Sequence, residues 1–453
     1  MGEKIKNVIL GILIVIGLSI EIIKIMPNPV FAYEKNIEKG LDKAIGKVRK
    51  YKTGDVVIPF KYDCIYSAEE GMFEVRIGDK YGFLNGKGEK ITDIKYSEVG
   101  EFKGGRAIVG KYNGNGEMKY GYIDRNGKEI VPIKYDAGAD FSEGLACVEV
   151  GGKIGFIDKR GKEVIKIKYK NWGHYNEVAD HVPRSDFRCG LACVIIGNKW
   201  GYINKKGKVV IPAKYDEAYR FSENRAFVRI GDKYGYIDKK GNIIGSLKYD
   251  YMVFYPDFRE GYAKVSKARQ TEFDGEFGII NKNGKEIVTI GKYDELGYFS
   301  EGRAVVKKGE KYGYVNNKGK LVIPLKYDYA HDFRENLALV QIGNKRGYIN
   351  KNGKIVIPLK YDYAHDFREN LAWVQLGNKW GCINKKGKLK ISAKFDETYD
   401  FCNGIAKVRL GNKYGCINKS GTLIIPAKYE SLDYDGGNLI EVELNGRWGA
   451  IHR

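Results

Sequence analysis

The sequence predicts an all-β protein made of about eleven tandem repeats of about 34 residues each. An aromatic-Gly-aromatic-Ile-Asx segment recurs along the chain, with its glycine at positions 82, 121, 155, 201, 235, 278, 313, 347, 381, 415 and 449. The chain contains 34 tyrosines and 58 glycines but 10 prolines, a composition that suits short strands joined by tight turns. Outside the amino-terminal region, no segment of useful length keeps the 3.6-residue apolar period of a helix.

The spacing of these glycines indicates repeated duplication of one unit. Most successive glycines are 34 or 35 residues apart, and the exceptions are 39, 46 and 43 residues. Segments 322–338 and 356–372 are identical in sequence. A fixed period of this length is typical of repeat architectures, in which each unit is one supersecondary element.

Three strands are predicted in each unit, and the fifth unit shows the first two. Residues 225–230 form a short alternating run, 231–233 turn the chain, and 234–238 return as a second strand. An Asx-x-x-Gly turn follows, here from Asp238 to Gly241. Its Asx side chain accepts backbone hydrogen bonds, and its glycine takes the left-handed conformation.

The third strand carries a proline in many units, as in Lys208–Tyr215 with Pro212. Because proline cannot donate to a β-ladder, this strand is predicted to lie at a sheet edge or to carry a bulge. A polar connector such as 216–224 then leads into the next unit.

A single three-stranded meander is too small to bury a core, so neighbouring units must stack and share one. The array opens with a third strand, 56–62, and closes with a first and a second strand, 439–444 and 448–452. This balance permits ring closure without requiring it. We expect one curved or superhelical array of propeller-like or β-solenoid units, with a closed ring or two smaller rings as alternatives.

The amino terminus carries an export segment. Lys4 and Lys6 precede a thirteen-residue apolar run, 8–20, and Ala32 follows as a small residue suited to cleavage. Residues 1–32 are therefore interpreted as a signal peptide, or alternatively as an uncleaved membrane anchor over residues 8–26. Residues 33–54 form a spacer with a short helical pattern, and the repeat array covers 55–453.

The repeats resemble the bacterial WG-repeat family, which is named for a Trp-Gly pair. That pair occurs at Trp200-Gly201, Trp380-Gly381 and Trp448-Gly449, and the longer pattern G-N-K-W-G-x-I-N occurs at 197–204 and 377–384. The resemblance covers about residues 55–453. It implies an all-β repeat structure and a binding or scaffolding role, and it brings no catalytic residue.

The formal net charge of +21 favours attraction to polyanions. Lysines occur in every repeat, and eleven Lys-aromatic pairs recur, among them Lys214-Tyr215 and Lys326-Tyr327. Alternation along a strand places the two side chains on opposite faces, so the tyrosine is expected to pack while the lysine is solvated. Aligned lysines would form a basic stripe able to hold a teichoic-acid-like polymer, whereas export makes nucleic acid a poor candidate.

Candidate binding residues lie in two places. The longest insertion, between repeats three and four, contains Trp172, His174 and Tyr175. An insertion on a rigid repeat scaffold is where a binding site would be added. The duplicated segments supply the other two candidates, His331 and His365, each followed by an aspartate.

No sequence motif indicates catalysis, a cofactor or a metal site, and the seven cysteines show no disulfide framework. The Asp-Phe-x-Glu element, as at 140–143, recurs in nearly every unit, whereas a catalytic acid needs one special environment. We therefore expect an exported, non-catalytic protein that binds or scaffolds at the cell envelope, through a protein partner or an anionic cell-wall polymer. The alternatives are an enzyme with its site in the 170–190 insertion and a purely structural surface component.

Overall fold

The computed structural model describes residues 51–171, 185–250, 256–269 and 275–453. The predicted signal or anchor segment, 1–32, and most of the spacer lie outside these residues. Thr53–Arg453 form one compact unit. In the described ranges, the helices include none that is long and apolar enough to cross a membrane.

The described residues form β-strands, with one 3-10 turn at Glu69–Gly71. The array opens with β1 (Val56–Tyr62), and units 1 to 3 follow as β2 (Cys64–Ala68), β3 (Met72–Ile77), β4 (Lys80–Asn85); β5 (Glu98–Val99), β6 (Arg106–Tyr112), β7 (Met118–Asp124), β8 (Glu129–Tyr135); β9 (Ala137–Gly138), β10 (Leu145–Val150), β11 (Lys153–Asp158) and β12 (Glu163–Lys170). Units 4 to 6 are β13 (Leu191–Ile196), β14 (Lys199–Asn204), β15 (Val209–Tyr215); β16 (Glu217–Ala218), β17 (Ala226–Ile230), β18 (Lys233–Ile237), β19 (Ile243–Tyr249); β20 (Tyr262–Arg269), β21 (Gly275–Asn281) and β22 (Glu286–Val288).

Units 7 to 9 are β23 (Glu295–Leu296), β24 (Arg303–Lys308), β25 (Lys311–Asn316), β26 (Leu321–Tyr327); β27 (Tyr329–Ala330), β28 (Leu337–Ile342), β29 (Lys345–Asn350), β30 (Ile355–Tyr361); β31 (Leu371–Leu376), β32 (Lys379–Asn384) and β33 (Leu389–Phe395). Units 10 and 11 are β34 (Glu397–Thr398), β35 (Ile405–Leu410), β36 (Lys413–Asn418), β37 (Leu423–Tyr429); β38 (Ser431–Asp433), β39 (Leu439–Leu444) and β40 (Arg447–His452). The all-β repeat fold expected from the sequence is confirmed.

Each unit is an antiparallel meander in chain order. Units 3 and 4 share a seven-stranded sheet through one pair, Lys170↔Ile195, and the other described units form sheets of three or four strands. The expectation of three strands per unit is incomplete, because seven units begin with an additional strand of two or three residues: β5, β9, β16, β23, β27, β34 and β38. In unit 5 this short strand lies inside the segment 216–224 that the sequence predicted as a connector.

The first strand of the array completes the last sheet. β1 pairs antiparallel with β40, with Val56 opposite Ile451 and Tyr62 opposite Trp448, and the strand order is β1-β40-β39-β38. β2 of unit 1 contacts both β39 and β40. Neighbouring units are in contact in chain order, and unit 11 is in contact with unit 1.

The hairpin between the first and second strands is tighter than the sequence indicated. In unit 5, Ile230 pairs with Lys233, so the turn consists of Gly231 and Asp232 and not of three residues. Gly231 has φ +58°. A glycine with positive φ at the first turn position matches the right-handed twist of the two strands, which explains the shorter loop.

The Asx-x-x-Gly turn has the predicted geometry. In unit 5, Oδ1 of Asp238 accepts the backbone N–H groups of Lys240 at 2.8 Å and Asn242 at 2.9 Å. The N–H of Gly241 donates to the carbonyl of Asp238 at 3.0 Å, and Gly241 has φ +84°. The side chain therefore satisfies turn donors that have no ladder partner.

The third strand carries the bulge predicted from its proline. In unit 7, Tyr312 lies opposite Tyr327 and Tyr314 lies opposite Ile323, so the third strand has extra residues around Pro324. A Cβ atom on Gly313 would lie 2.5 Å from the carbonyl oxygen of Ile323. The motif glycine is therefore required because the bulged backbone crosses directly against it.

Neighbouring units share a core, as predicted. Tyr314 of unit 7 packs against Phe333 of unit 8 with ring centroids 4.9 Å apart, and both side chains are fully buried. The Tyr314 hydroxyl donates to the backbone carbonyl of His331 at 2.7 Å. One buried cluster joins β24, β25 and β26 to β28 and β29. Burial of each such ring contributes roughly 1.5–3 kcal/mol, which a lone meander could not obtain.

Candidate functional site

An aspartate follows eight of the eleven Lys-aromatic pairs, and Asp328 and Asp216 show how it links two units. Oδ1 of Asp328 forms an ion pair with Lys311 of unit 7. Oδ2 of Asp328 accepts a hydrogen bond from the backbone N–H of Gly343 in unit 8, at 2.6 Å. Asp216 does the same with Lys199 and with Gly231, whose N–H is 2.8 Å away. These carboxylates and their lysine partners, here called the framework lysines, therefore hold neighbouring units together.

The glutamate of the Asp-Phe-x-Glu element forms a second tie. Glu335 of unit 8 accepts the N–H of Asn370 at 2.9 Å and the ammonium of Lys385 at 3.0 Å, both in unit 9. Burial alone would raise the pKa of Glu335, but these donors hold it below its usual value. Recurrence of this glutamate therefore has a structural reason, and Glu369 repeats it with Lys419 at 2.8 Å.

The lysines of the eleven Lys-aromatic pairs are here called the periodic lysines. They are Lys61, Lys95, Lys134, Lys168, Lys214, Lys248, Lys292, Lys326, Lys360, Lys394 and Lys428. Nine of them lie thirteen residues after a motif glycine, Lys292 lies fourteen residues after Gly278, and Lys61 precedes the first motif glycine. In unit 7, Tyr327 is buried opposite Tyr312, and the exposed Lys326 ammonium lies 5.2 Å from the Tyr327 ring centroid. The expected arrangement of packed aromatic and solvated lysine is confirmed here.

The periodic lysines differ from the framework lysines in their partners. Ten of them are exposed, and in the described part of the chain Lys248 is the member with a carboxylate partner, Glu286 at 2.7 Å. In each of the other ten, the lysine Nζ atom lies 5.1–5.4 Å from the centroid of the aromatic ring that follows it in sequence. A cation–π contact at an exposed site contributes about 0.5–1 kcal/mol and leaves the positive charge available to solvent.

The two candidate histidines lie at equivalent positions in units 8 and 9. The Nδ1 atom of His331 is 2.9 Å from Oδ1 of Asp366, whose other oxygen is 3.3 Å from Nε of Arg334. His365 has the corresponding partner Asp400, at 3.6 Å. Each histidine therefore pairs with an aspartate of the following unit and not with the aspartate beside it in sequence.

His331 also lines a cleft of about 510 Å³ that crosses units 6 to 9. The lining residues are Lys264, Phe277, Asp294, Glu295, Leu296, Gly297, Val305, Tyr312, Tyr329, Ala330, His331, Asp332, Arg334 and Asp366. A cleft of this size, lined by aromatic rings and by many ionisable side chains, is large enough for a small polar ligand. Sequence reasoning identified His331 but not the cleft, because its walls come from separate repeats.

Burial shifts the pKa values of two ionisable groups in the cleft in the direction that favours their neutral forms. The ammonium of Lys264 lies 4.0 Å from the ring centroid of Phe277, and burial lowers the pKa of Lys264 to about 8. Burial likewise raises the pKa of Asp332. Charged groups in such surroundings are open to compensation by a ligand.

The other sequence candidates, Trp172, His174 and Tyr175, lie outside the described residues. Within the described ranges, no group of three or more His, Cys, Asp and Glu side chains could hold a metal ion. All seven cysteines have free thiols.

Eleven segments of the chain match the family model for the WG containing repeat: residues 52–81, 81–115, 120–153, 154–177, 200–234, 234–268, 277–312, 312–345, 347–380, 380–414 and 414–448. No protein of curated function matches the chain by sequence. Among solved structures, the chain is similar to a eukaryotic initiation factor, with 10% identity, a TM-score of 0.38, and coverage of 88% of this chain and 92% of that chain.

Two bacterial surface proteins give further structural matches. One is the extracellular domain of a hybrid two-component system from B. thetaiotaomicron, with 10% identity, a TM-score of 0.26, and coverage of 87% of this chain and 62% of that chain. The other is PorZ, a surface component of the type-IX secretion system of Porphyromonas gingivalis, with 9% identity, a TM-score of 0.21, and coverage of 87% and 74%.

Proposed function

We propose a binding function for this chain, which belongs to the family of proteins with WG containing repeats. The exported chain has no catalytic activity and holds an anionic polymer of the cell envelope through its periodic lysines. One observation carries this function. Ten periodic lysines are exposed without a carboxylate partner in the described residues, while the recurrent carboxylates are committed to framework lysines.

We infer further that the repeats close into a ring of propeller-like units and do not form an open superhelix. The pairing of β1 with β40 and the contacts of β2 with β39 and β40 support closure. Eleven units exceed the four to eight of most propellers. In a ring, the periodic lysines recur at regular intervals, so that a long polyanion meets many equivalent weak contacts.

Export delivers the array to the envelope. The basic start and apolar run of residues 1–32 support this location, whether the segment is cleaved or retained as an anchor. Polymers outside the membrane that repeat a negative charge at short intervals match a surface on which single positive charges repeat.

The test compares two triple variants that change the net charge equally. Lys326→Gln, Lys360→Gln and Lys394→Gln together remove three periodic lysines. The matched control removes three other exposed lysines of the same units through Lys320→Gln, Lys354→Gln and Lys388→Gln. Binding of long-chain inorganic polyphosphate is measured at several salt concentrations, with dextran as a neutral polymer.

Because a basic side chain near an anionic surface contributes about 1 kcal/mol, loss of three periodic lysines should weaken polyphosphate binding roughly tenfold to a hundredfold. The control should lose less than about threefold, and binding should fall as salt rises. Equal losses in the two triple variants would exclude the periodic lysines as the binding surface. Salt-independent capture of an envelope protein by both variants would point to a protein partner instead.

A further inference from the structure

The cleft across units 6 to 9 opens where unit 7 carries a glycine in place of a large side chain. Gly297 lies four residues after the buried aromatic of the Lys-aromatic pair. Units 5, 8, 9 and 10 have a large side chain at that position: Tyr219, His331, His365 and Tyr399. In unit 9 the ring of His365 packs against the ring of Trp380, with centroids 4.7 Å apart, whereas Gly297 offers no side chain to Tyr312, which corresponds to Trp380 in unit 7.

A glycine at this position does not by itself open a cleft. Unit 2 also has a glycine there, Gly100, but a Cβ on Gly100 would lie 2.6 Å from Cγ2 of Ile108. Unit 7 has the shorter Val305 in place of Ile108. A Cβ on Gly297 would lie 3.5 Å from both Val305 and Oδ1 of Asp332, which are ordinary contact distances.

Aromatic rings form part of the walls of the cleft. The rings of Tyr312 and Tyr329 have centroids 5.7 Å apart, and Tyr329 is 45% exposed. His331 packs against Tyr329 with centroids 5.2 Å apart. Exposed aromatic faces of this kind pack against apolar C–H surfaces of a ligand.

Most of the charges in the cleft are already compensated. Glu295 pairs with Lys307 at 2.6 Å and accepts the Tyr312 hydroxyl at 3.0 Å. Asp366 pairs with His331 and Arg334. Since a carboxylate can only accept, Nδ1 of His331 carries the proton, and Nε2 is the ring nitrogen left for a ligand.

Two charged side chains that line the cleft, one cation and one anion, are not compensated in this way. Lys264 has no ion pair and Asp332 has no hydrogen bond in the described part of the chain, although both line the cleft. An anionic ligand would leave Asp332 uncompensated, and a cationic ligand would leave Lys264 uncompensated. Hydroxyl groups both donate and accept, so a neutral polyol can satisfy the two residues at once.

We propose that this cleft is a binding site for a neutral, hydroxyl-rich ligand, a short saccharide whose ring packs on Tyr312 and Tyr329. Asp332 accepts from ligand hydroxyls, and Lys264 donates to them. This site does not depend on polyanion binding by the periodic lysines. It is formed by other residues, and the positive charge of Lys264 and the negative charge of Asp332 balance within it.

The experiment screens the full chain on a glycan array that contains neutral, anionic and amine-bearing saccharides. The neutral saccharide with the strongest signal is then titrated by calorimetry. Gly297→His introduces the side chain found in units 8 and 9 and fills the cleft. The matched control, Ala139→His, introduces the same side chain at the equivalent position of unit 3, far along the chain.

We expect neutral saccharides to bind the unmodified chain and Ala139→His alike, and Gly297→His to weaken binding at least tenfold. Lys264→Met and Asp332→Asn should each weaken it as well, and these two variants keep the test valid if Gly297→His fails to fold. Polyphosphate binding by Gly297→His should remain unchanged. The proposal is overturned if no neutral saccharide binds, if only charged saccharides bind, or if Gly297→His binds as the unmodified chain does.

Discussion

The indole Nε1 of Trp373 donates a hydrogen bond to the backbone carbonyl of Tyr399 in the next unit, at 2.8 Å. In the preceding unit the hydroxyl of Tyr348 makes the equivalent bond, to the carbonyl of His365 at 2.6 Å. Cys382 stands where Tyr348 would be and is the cross-strand partner of Trp373. The large hydrogen-bonding side chain has therefore moved from the second strand to the first, and the contact between units is retained.

This relationship predicts strong coupling between two substitutions. Trp373→Leu alone should destabilise the chain by roughly 3–5 kcal/mol, because it leaves a cavity and an unsatisfied carbonyl. Cys382→Tyr alone should cost about 1–3 kcal/mol through overpacking. The double variant recreates the Leu339 and Tyr348 pair of unit 8 and should return to within about 1.5 kcal/mol of the unmodified chain.

Chemical denaturation of the four proteins gives the coupling energy directly. Simple addition of the two single effects in the double variant would show that the two strands do not share one packing site.

A second prediction concerns the motif glycine. Gly313→Ala should destabilise the chain by at least about 2 kcal/mol, because the new methyl group meets the backbone of Ile323 and Pro324 and no side chain can move aside. Gly114→Ala is the control, since a Cβ there has no atom within 4 Å and Gly114 has an ordinary φ. Denaturation midpoints that shift equally in the two variants would contradict the required close approach.

A third prediction tests closure of the array. Deletion of residues 1–62 removes β1 and exposes the edge of β40, whereas deletion of 1–50 keeps the described residues intact. The longer deletion should lower the melting temperature by several degrees and cause concentration-dependent association, because an unpaired strand edge is a template for another chain. Thermal denaturation and analytical ultracentrifugation measure the two effects. Monomeric behaviour with an unchanged melting temperature would mean that the β1–β40 pair contributes nothing to the array.

The repeat and its turns could be predicted from sequence because each depends on residues close together in the chain. Asp238 and Gly241 specify their turn locally. Pro324 indicated the place of the bulge, although the same bulge occurs in β12 and β33, which contain no proline. The short first strands could not be predicted, because two residues such as Glu295 and Leu296 are too few to show an alternating pattern and are strand only through their pairing with β24.

The cleft could be predicted only in part. His331 stood out as a duplicated histidine, but its partner proved to be Asp366 of the next unit. The open space depends on Gly297 together with Val305, and a glycine at the same place in unit 2 is covered by Ile108. Such a difference arises from side-chain volumes across strands, which a linear pattern does not contain.

The last prediction uses Glu441 in β39, a carboxylate that is 2% exposed and whose Oε1 has no hydrogen-bond partner in the described residues. Burial, with smaller contributions from Asp435 and Asp433, raises the pKa of Glu441 to about 8. The unfolded chain releases this proton near the ordinary value of about 4.3, so the folded chain holds one more proton over the window up to pH 8. Stability therefore falls as pH rises through this window, by up to about 1.4 kcal/mol per pH unit.

Glu441→Leu, which places in unit 11 the residue found at Leu339, should remove this dependence. Its advantage in the free energy of unfolding over the unmodified chain should grow from pH 5 to pH 8 and then level off. Glu74, whose pKa burial raises to about 7, is present in both proteins, so it cancels from the difference. Urea denaturation at pH 5, 6.5, 8 and 9 measures that difference. A constant difference across this range would show that Glu441 is already ionised in the folded chain.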